Sequence, residues 1–255
     1  MNQQATEIPR TDPDSRTVPS PEADRPGVLR GVVTLTLETR QAQRLVKGRP
    51  GTPDKPAIIG LIGFANLLRA IWHGVRAEDP YADWWLLKVH DALEAADQAL
   101  AAASETVETG LNASAAIRAT PAASVRPTHT PLRFSNPYAF RGAQLVAAYD
   151  RLVRAVLTAR HIGIITADDG ERTASLGGRA LRRAFQSPLG YRPTGLTREE
   201  VLQGTARATE ARAQLGTLPE AVIAGTRRAP HGPLRPMPES ATSRHLDLHA
   251  QAPRS

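Results

Sequence analysis

Apolar and polar residues alternate over the stretch VTLTLE, residues 33–38, and this alternation predicts a β-strand with two unlike faces. The apolar face holds Val33, Leu35 and Leu37. The polar face holds Thr34, Thr36 and Glu38, with Arg30 further back on the same side. Such a strand is compatible with an ordinary edge strand and equally with a strand whose polar face reads a DNA groove.

A short basic helix is predicted directly after this strand, from Arg40 to Lys47. Thr39 is a residue type that caps helix N-termini, and Gly48 is the type that most often ends helices. The basic residues of this segment are spaced so that several share one side of the helix: Arg40, Arg44, Lys47 and Arg49. The prolines and glycines of residues 48–56 then predict a loop.

Six further helices are predicted from apolar spacing and capping residues. They cover residues 57–75, 80 to about 100, 137–160, 168–186, 197–215 and 219–228, and a second short strand is predicted within 125–134. The fold class is therefore mainly α with a minor β ribbon. Residues 28–76 contain, in order, a strand, a short helix, a loop and a longer helix. This unit has about the length of a ribbon-helix-helix module, and a helical bundle would follow it.

The edge of the first strand needs a hydrogen-bonding partner. Because the rest of the chain is largely helical, the economical partner is the same strand of a second copy, paired across a two-fold axis. The sequence therefore predicts a homodimer.

The apolar content divides the chain into five parts. Residues 1–27 and 229–255 are rich in proline and polar residues and are predicted to be disordered tails. Residues 101–126 lack most bulky anchors and predict a mobile connection. It would separate a strand-plus-helices unit at 28–100, the predicted DNA-binding unit, from a helical domain at 127–228.

The net charge of +7 indicates an anionic partner, for which double-stranded DNA is the main candidate. Residues 28–49 hold five basic side chains and one acid, whereas residues 78–108 hold eight acids and one lysine. A GC-rich coding sequence is the alternative source of the arginine excess.

The absence of cysteine excludes disulfides and thiolate chemistry and is typical of a cytoplasmic protein. The N-terminus has no basic-then-apolar leader. The longest apolar run, residues 57–72, is too short to span a bilayer, so no membrane association is predicted.

No pattern in the chain indicates an enzyme. There is no phosphate-binding loop and no Gly-x-Ser-x-Gly elbow. Gly60 and Gly63 have the spacing of an RNA-binding KH loop, but the two residues between them are apolar. His245 and His249 have the spacing of a helical metal pair without a third ligand, within a proline-rich tail. We therefore predict no catalytic residue, no metal and no cofactor.

Nucleic-acid binding remains as a hypothesis with assigned residues. Base edges would be contacted from the strand by Arg30, Thr34 and Thr36. Phosphates would be contacted by Arg40, Arg44, Lys47 and Arg49. A secondary basic face, made of Arg179, Arg182 and Arg183, would either bind DNA or be solvated. The structural alternative for the whole surface is an amphipathic strand beside a solvated basic helix.

Several stretches resemble a family of proteins encoded on integrating conjugative elements, the AcaB-like transcriptional regulators. In the first half of the chain these are VTLTLETRQAQRLVKGR (33–49), KPAIIGLIGFANLLRAIWHG (55–74) and DPYADWWLLKVHDALEAA (79–96). In the second half they are RFSNPYAFRGAQLVAAYDRLVRAVLTARHIG (133–163), GGRALRRAFQSPLGYR (177–192) and TRRAPH (226–231). The tails and residues 101–126 match poorly.

The resemblance implies a DNA-associated regulator of transfer or maintenance genes on a mobile element, and it attaches no catalytic residue to these motifs. The alternative is a non-enzymatic interaction module of the element's transfer or maintenance machinery. That module would use the acidic helix near Trp84 and Trp85 to bind a basic protein. A nuclease or phosphotransfer enzyme is a third, weaker hypothesis.

Overall fold

Eight helices and one two-stranded sheet make up the part of the chain that the computed structural model describes, residues 33–113 and 119–234. The elements in order are β1 (Val33–Leu37), α1 (Arg40–Lys47), α2 (Leu61–Arg76), α3 (Pro80–Leu111), β2 (Thr128–Leu132), α4 (Pro137–His161), α5 (Ala167–Gln186), α6 (Arg198–Leu202), α7 (Ala206–Leu215) and α8 (Glu220–Ile223). The predicted fold class, mainly α with a minor β ribbon, is confirmed.

The partner of β1 lies in the same chain. β2 falls within the predicted second strand and pairs with β1 antiparallel, with Thr34 opposite Pro131 and Thr36 opposite His129. Pairing of β1 with a second copy was expected because the rest of the chain is largely helical, but β2 supplies a partner strand within the chain. The second strand itself was predicted, but its pairing with β1 was not, since it joins residues about a hundred positions apart.

The core is built by α2, α3, α4 and α5, with α1 and the sheet packed against it. The helix predicted over residues 57–75 is present as α2, in which Leu61, Phe64 and Ile71 have no exposed surface. Phe64 stacks on Phe185 of α5 with ring centroids 5.0 Å apart. None of the helices in the described ranges combines the length and apolar content that a bilayer crossing requires.

Helix α3 runs about 48 Å, past the point where the sequence placed a mobile connection. Val107 and Leu111 continue its buried stripe and anchor this part of the helix, although the residues around them are small or polar. Residues before and after the predicted connection contribute to one hydrophobic core. The domain boundaries themselves stay a sequence prediction.

Helices α6, α7 and α8 pack on the start of α3 through a second, smaller apolar cluster that includes Tyr81, Leu196 and Val222. One helix was predicted where α6 and α7 lie, and Gly204, with a φ of 65°, separates them. Beyond α8, residues 229–234 were assigned to the C-terminal tail. Ala229 is nevertheless buried, and the His231 N–H donates to the Tyr138 hydroxyl at 3.2 Å.

Two buried aspartates hold this C-terminal part to α3. Asp79 caps the helix, and its Oδ2 accepts from the Thr194 N–H at 3.1 Å and the Thr194 hydroxyl at 2.9 Å. Asp83 is 3% exposed and forms ion pairs with Arg198 of α6 and with Arg228 beyond α8. The Arg228 Nε and Nη2 both donate to Asp83 Oδ1, at 3.1 and 3.0 Å.

The end of α1 and the start of α2 meet backbone to backbone. Gly48 has a φ of 69°, and a β-carbon on Gly60 would collide with the Gly48 nitrogen and the Val46 carbonyl oxygen. Glycine at position 60 therefore allows this close approach of the two backbones.

Replacing Gly60 by alanine is expected to destabilise the protein by about 1–3 kcal/mol, because the contact atoms are backbone and cannot rotate away. Chemical denaturation measures this. Gly204→Ala is the matched control: a β-carbon there meets no atom within 4 Å, so only the cost of its positive φ remains. Equal losses for the two variants would contradict a backbone collision at Gly60.

Candidate nucleic-acid interface

The outward face of the sheet carries the two threonines assigned to base contacts. Thr34 and Thr36 are exposed, while Leu35 and Leu37 are buried at 6% and 2%. Val33, assigned to the apolar face, is 45% exposed at the strand end. Arg30, the third residue assigned to bases, lies outside the described residues.

β2 adds side chains to this face that the sequence reasoning missed. His129 and Pro131 stand opposite Thr36 and Thr34, and both are exposed. His129 Nδ1 lies 3.0 Å from the Thr36 hydroxyl oxygen. The signal that could have found them is the pairing of β1 with the 125–134 strand, which would have placed His129 and Pro131 on the face shared with the threonines.

Helix α1 presents the predicted phosphate contacts on its solvent side. Arg40, Arg44 and Lys47 are exposed, whereas Ala42, Leu45 and Val46 are buried against the core. No carboxylate of the described chain lies within ion-pair distance of these three basic side chains. Their charges are therefore free to act on an anion.

Asp150 of α4 fixes the turn between β1 and α1. It is 4% exposed, and its carboxylate accepts from the Glu38 N–H at 3.0 Å, the Thr39 N–H at 2.8 Å and the Thr39 hydroxyl at 2.7 Å. Thr39 in turn caps α1 by accepting from the Ala42 N–H at 3.2 Å. The orientation of the basic helix relative to the sheet therefore depends on one buried carboxylate.

The single acid between β1 and Arg49 is neutralised. Glu38 forms an ion pair with Arg154 of α4 at 2.7 Å and accepts from the Ser124 N–H at 2.6 Å. Arg154 also donates to the Ala122 carbonyl oxygen at 2.7 Å. These contacts attach residues 119–126 to α4 and remove a negative charge that would repel phosphate.

Arg49 follows α1 on a small hairpin. Its backbone exchanges two hydrogen bonds with Ile58, at 2.9 and 2.8 Å, and its guanidinium donates to the Pro56 carbonyl oxygen at 3.0 Å. The side chain remains exposed. Arg49 is thus placed beside Lys47 at the end of the helix.

Two residues of the secondary basic face line a groove, and the third is outside that lining. Arg179 and Arg183 are exposed and line a groove between α3 and α5. Arg182 is half-buried and lies near Tyr149. Burial raises the pKa of the Tyr149 phenol, and the Arg182 charge opposes that shift.

The two tryptophans of the predicted protein-interaction surface are largely engaged within the chain. Trp85 is 8% exposed, and the Lys88 Nζ lies 3.5 Å from the Trp84 ring and 3.8 Å from the Trp85 ring. Burial lowers the pKa of Lys88. Most of the apolar area of these rings is therefore covered, which leaves little for a partner to bury.

Among the described residues, no group of three or more histidines and carboxylates could hold a metal ion. His245 and His249 lie outside those residues. The KH-like reading of Gly60 and Gly63 does not suit the geometry, because Gly60 faces the backbone of Gly48 instead of solvent.

These features define a mainly helical protein with a small sheet and an unpaired basic helix beside it. The chain belongs to the AcaB family of transcriptional regulators, whose family model, described as transcriptional regulator AcaB, matches residues 25–235. The resemblance noted in the sequence is thereby confirmed. A regulatory role follows from this membership.

A solved structure supports the fold. The chain is similar to selenomethionine-containing AcaB from uropathogenic E. coli, with a TM-score of 0.55 and 15% identity over 76% of this chain and 95% of that chain. At this identity the likeness concerns the fold alone. Among curated proteins, no sequence matches this chain.

Proposed function

We propose that this regulator binds double-stranded DNA, using the β1–β2 face for base edges and α1 for phosphates. The observation that carries the proposal is the unpaired basic side of α1, two residues after a strand with exposed threonines. Threonine hydroxyls can donate to or accept from base edges, and arginine and lysine attract phosphates without reading sequence.

The base contacts we propose are Arg30, Thr34 and Thr36, to which the pairing with β2 adds His129. The phosphate contacts we propose are Arg40, Arg44, Lys47 and Arg49. The neutralised Glu38 supports this assignment, since an unpaired acid at that position would oppose DNA. A non-enzymatic mode of action accords with the regulatory family.

A homodimer is part of the proposal. In the described residues β1 is paired with one strand, β2, so its second edge has no strand partner there and would pair with another copy. Two copies related by a two-fold axis would present two identical reading faces to a palindromic site. The genes we propose as targets are transfer or maintenance genes of an integrating conjugative element.

Thr36→Ala and Arg44→Ala are expected to weaken DNA binding in different ways. Thr36→Ala should lower affinity for the specific promoter site about three- to tenfold, with little change for unrelated DNA. Arg44→Ala should lower affinity for both DNAs by a similar factor, because a phosphate contact is independent of sequence. Gel shifts on the element's own promoters and on a scrambled duplex measure both.

Arg172→Ala serves as the control, since Arg172 lies on α5 and is paired with Asp169 at 3.4 Å. It should leave both affinities unchanged. If wild-type protein binds neither duplex at low salt, the proposed function is wrong. If Thr36→Ala and Arg44→Ala act alike on both duplexes, DNA is bound without the assigned division of roles.

A further inference from the structure

A groove of about 490 Å³ runs between α3 and α5, on a surface that takes no part in the proposed base or phosphate contacts. Its α3 wall is made of small side chains: Ala99, Ala102, Ala103 and Thr106. Its α5 wall is made of Thr173, Leu176, Arg179, Ala180 and Arg183. The α3 wall extends over two helical turns, about 10 Å, which is the length that a docked helix of two to three turns covers.

The α5 wall combines one exposed apolar side chain with two unpaired charges. Leu176 is 54% exposed, so its apolar side chain is available to a partner. Arg179 and Arg183 follow it on the same helical side. Neither guanidinium has a carboxylate within 4 Å anywhere in the described ranges.

We propose that this groove binds an acidic amphipathic helix of a partner protein. Leucine-type side chains of the partner would cover Leu176 and the alanines, and its carboxylates would pair with Arg179 and Arg183. Charge complementarity selects this occupant, because both groove charges are positive and arginine pairs bidentately with carboxylates.

DNA is the poorer occupant of the same surface. A duplex would meet the two arginines with its phosphates, but it offers no apolar surface to cover Leu176 and the alanine-lined wall. A helix satisfies both the apolar and the charged parts of the groove at once. The two basic surfaces therefore have different functions: α1 binds DNA, and Arg179 and Arg183 bind a protein helix.

The test uses full-length protein and two labelled peptides of about 18 residues with identical composition, rich in leucine and glutamate. One peptide places its leucines at i, i+3/i+4 and i+7 spacing, and the other is scrambled so that no apolar stripe forms. By fluorescence anisotropy the amphipathic peptide should bind about tenfold more tightly than the scrambled one. Arg179→Glu with Arg183→Glu should weaken the amphipathic peptide at least about tenfold, and Leu176→Ser about fivefold.

Arg172→Glu is the matched charge reversal on α5 outside the groove, and it should leave peptide binding unchanged. DNA affinity is measured for the same variants, so that the proposed DNA function is tested separately from the groove. Equal binding of both peptides would overturn the proposal, since bare charge attraction would then explain it. A loss of DNA affinity with unchanged peptide affinity in the Arg179→Glu, Arg183→Glu protein would also overturn it and make the groove part of the DNA surface.

Discussion

Replacing Asp83 by alanine is expected to lower the free energy of unfolding by about 3–5 kcal/mol. The carboxylate is 3% exposed and faces two guanidinium groups, those of Arg198 and Arg228, whose side chains are 16% and 22% exposed. Removing the acid takes away the carboxylate that both guanidinium groups share. Removing one partner of a buried ion cluster costs more free energy than the intact cluster contributes to stability. The remaining charges lose the attraction that offset part of their desolvation.

The loss should appear first in the C-terminal helices. Asp83 joins α3 to α6 and to the segment after α8, so hydrogen exchange should show α6–α8 losing protection before α2 and α4. Arg227→Ala is the matched control, because its partner Asp91 is 55% exposed and the pair is 3.4 Å apart. That exposed pair should contribute less than about 1 kcal/mol. Similar losses for the two variants would contradict the role given to burial.

Asp150→Ala is expected to destabilise the protein by about 2–3 kcal/mol and to weaken DNA binding although Asp150 touches no proposed DNA contact. The substitution leaves the Glu38 N–H, the Thr39 N–H and the Thr39 hydroxyl without their acceptor. Thr39 caps α1, so the basic helix would lose its fixed position relative to the sheet. Denaturation and anisotropy on the same sample measure the two effects.

Asp150→Asn separates the hydrogen bonds from the charge. Both Thr39 donors meet Oδ1, which the amide oxygen can replace, whereas the Glu38 N–H meets Oδ2 and would face an NH₂ group. An intermediate loss is therefore expected. If Asp150→Ala lowers stability but leaves DNA affinity at the wild-type value, the turn does not position the DNA surface.

Local chemistry determined how well each element could be predicted. Helix α1 has its predicted bounds because Thr39 and Gly48 end it through contacts within a few residues. The capping box at Thr197 and Glu200 is present for the same reason. Helix α3 was predicted too short, because beyond Leu100 the bulky apolar residues of its stripe are reduced to Val107 and Leu111, among small and polar residues.

Contacts between distant parts of the chain could not be read from the pattern. The pairing of Thr36 with His129 joins residues 93 positions apart, and that of Asp83 with Arg228 joins residues 145 apart. In the sequence alone, an acidic residue at position 83 is equally compatible with a solvated helix face and with a buried ion cluster. The assigned site residues were chosen by alternation and charge, and the structure adds which of them are exposed, unpaired and held in place.

The salt dependence of DNA binding shows whether the basic side of α1 contacts phosphates. The logarithm of the association constant, plotted against the logarithm of salt concentration, is measured for wild type and for the variant Arg40→Ala, Arg44→Ala, Lys47→Ala. If the exposed side of α1 contacts phosphates, the slope of the variant should be less steep by about 2–3 units, since each lost contact removes about 0.9. Identical slopes, or no DNA binding by the wild-type protein at low salt, would contradict phosphate binding by α1.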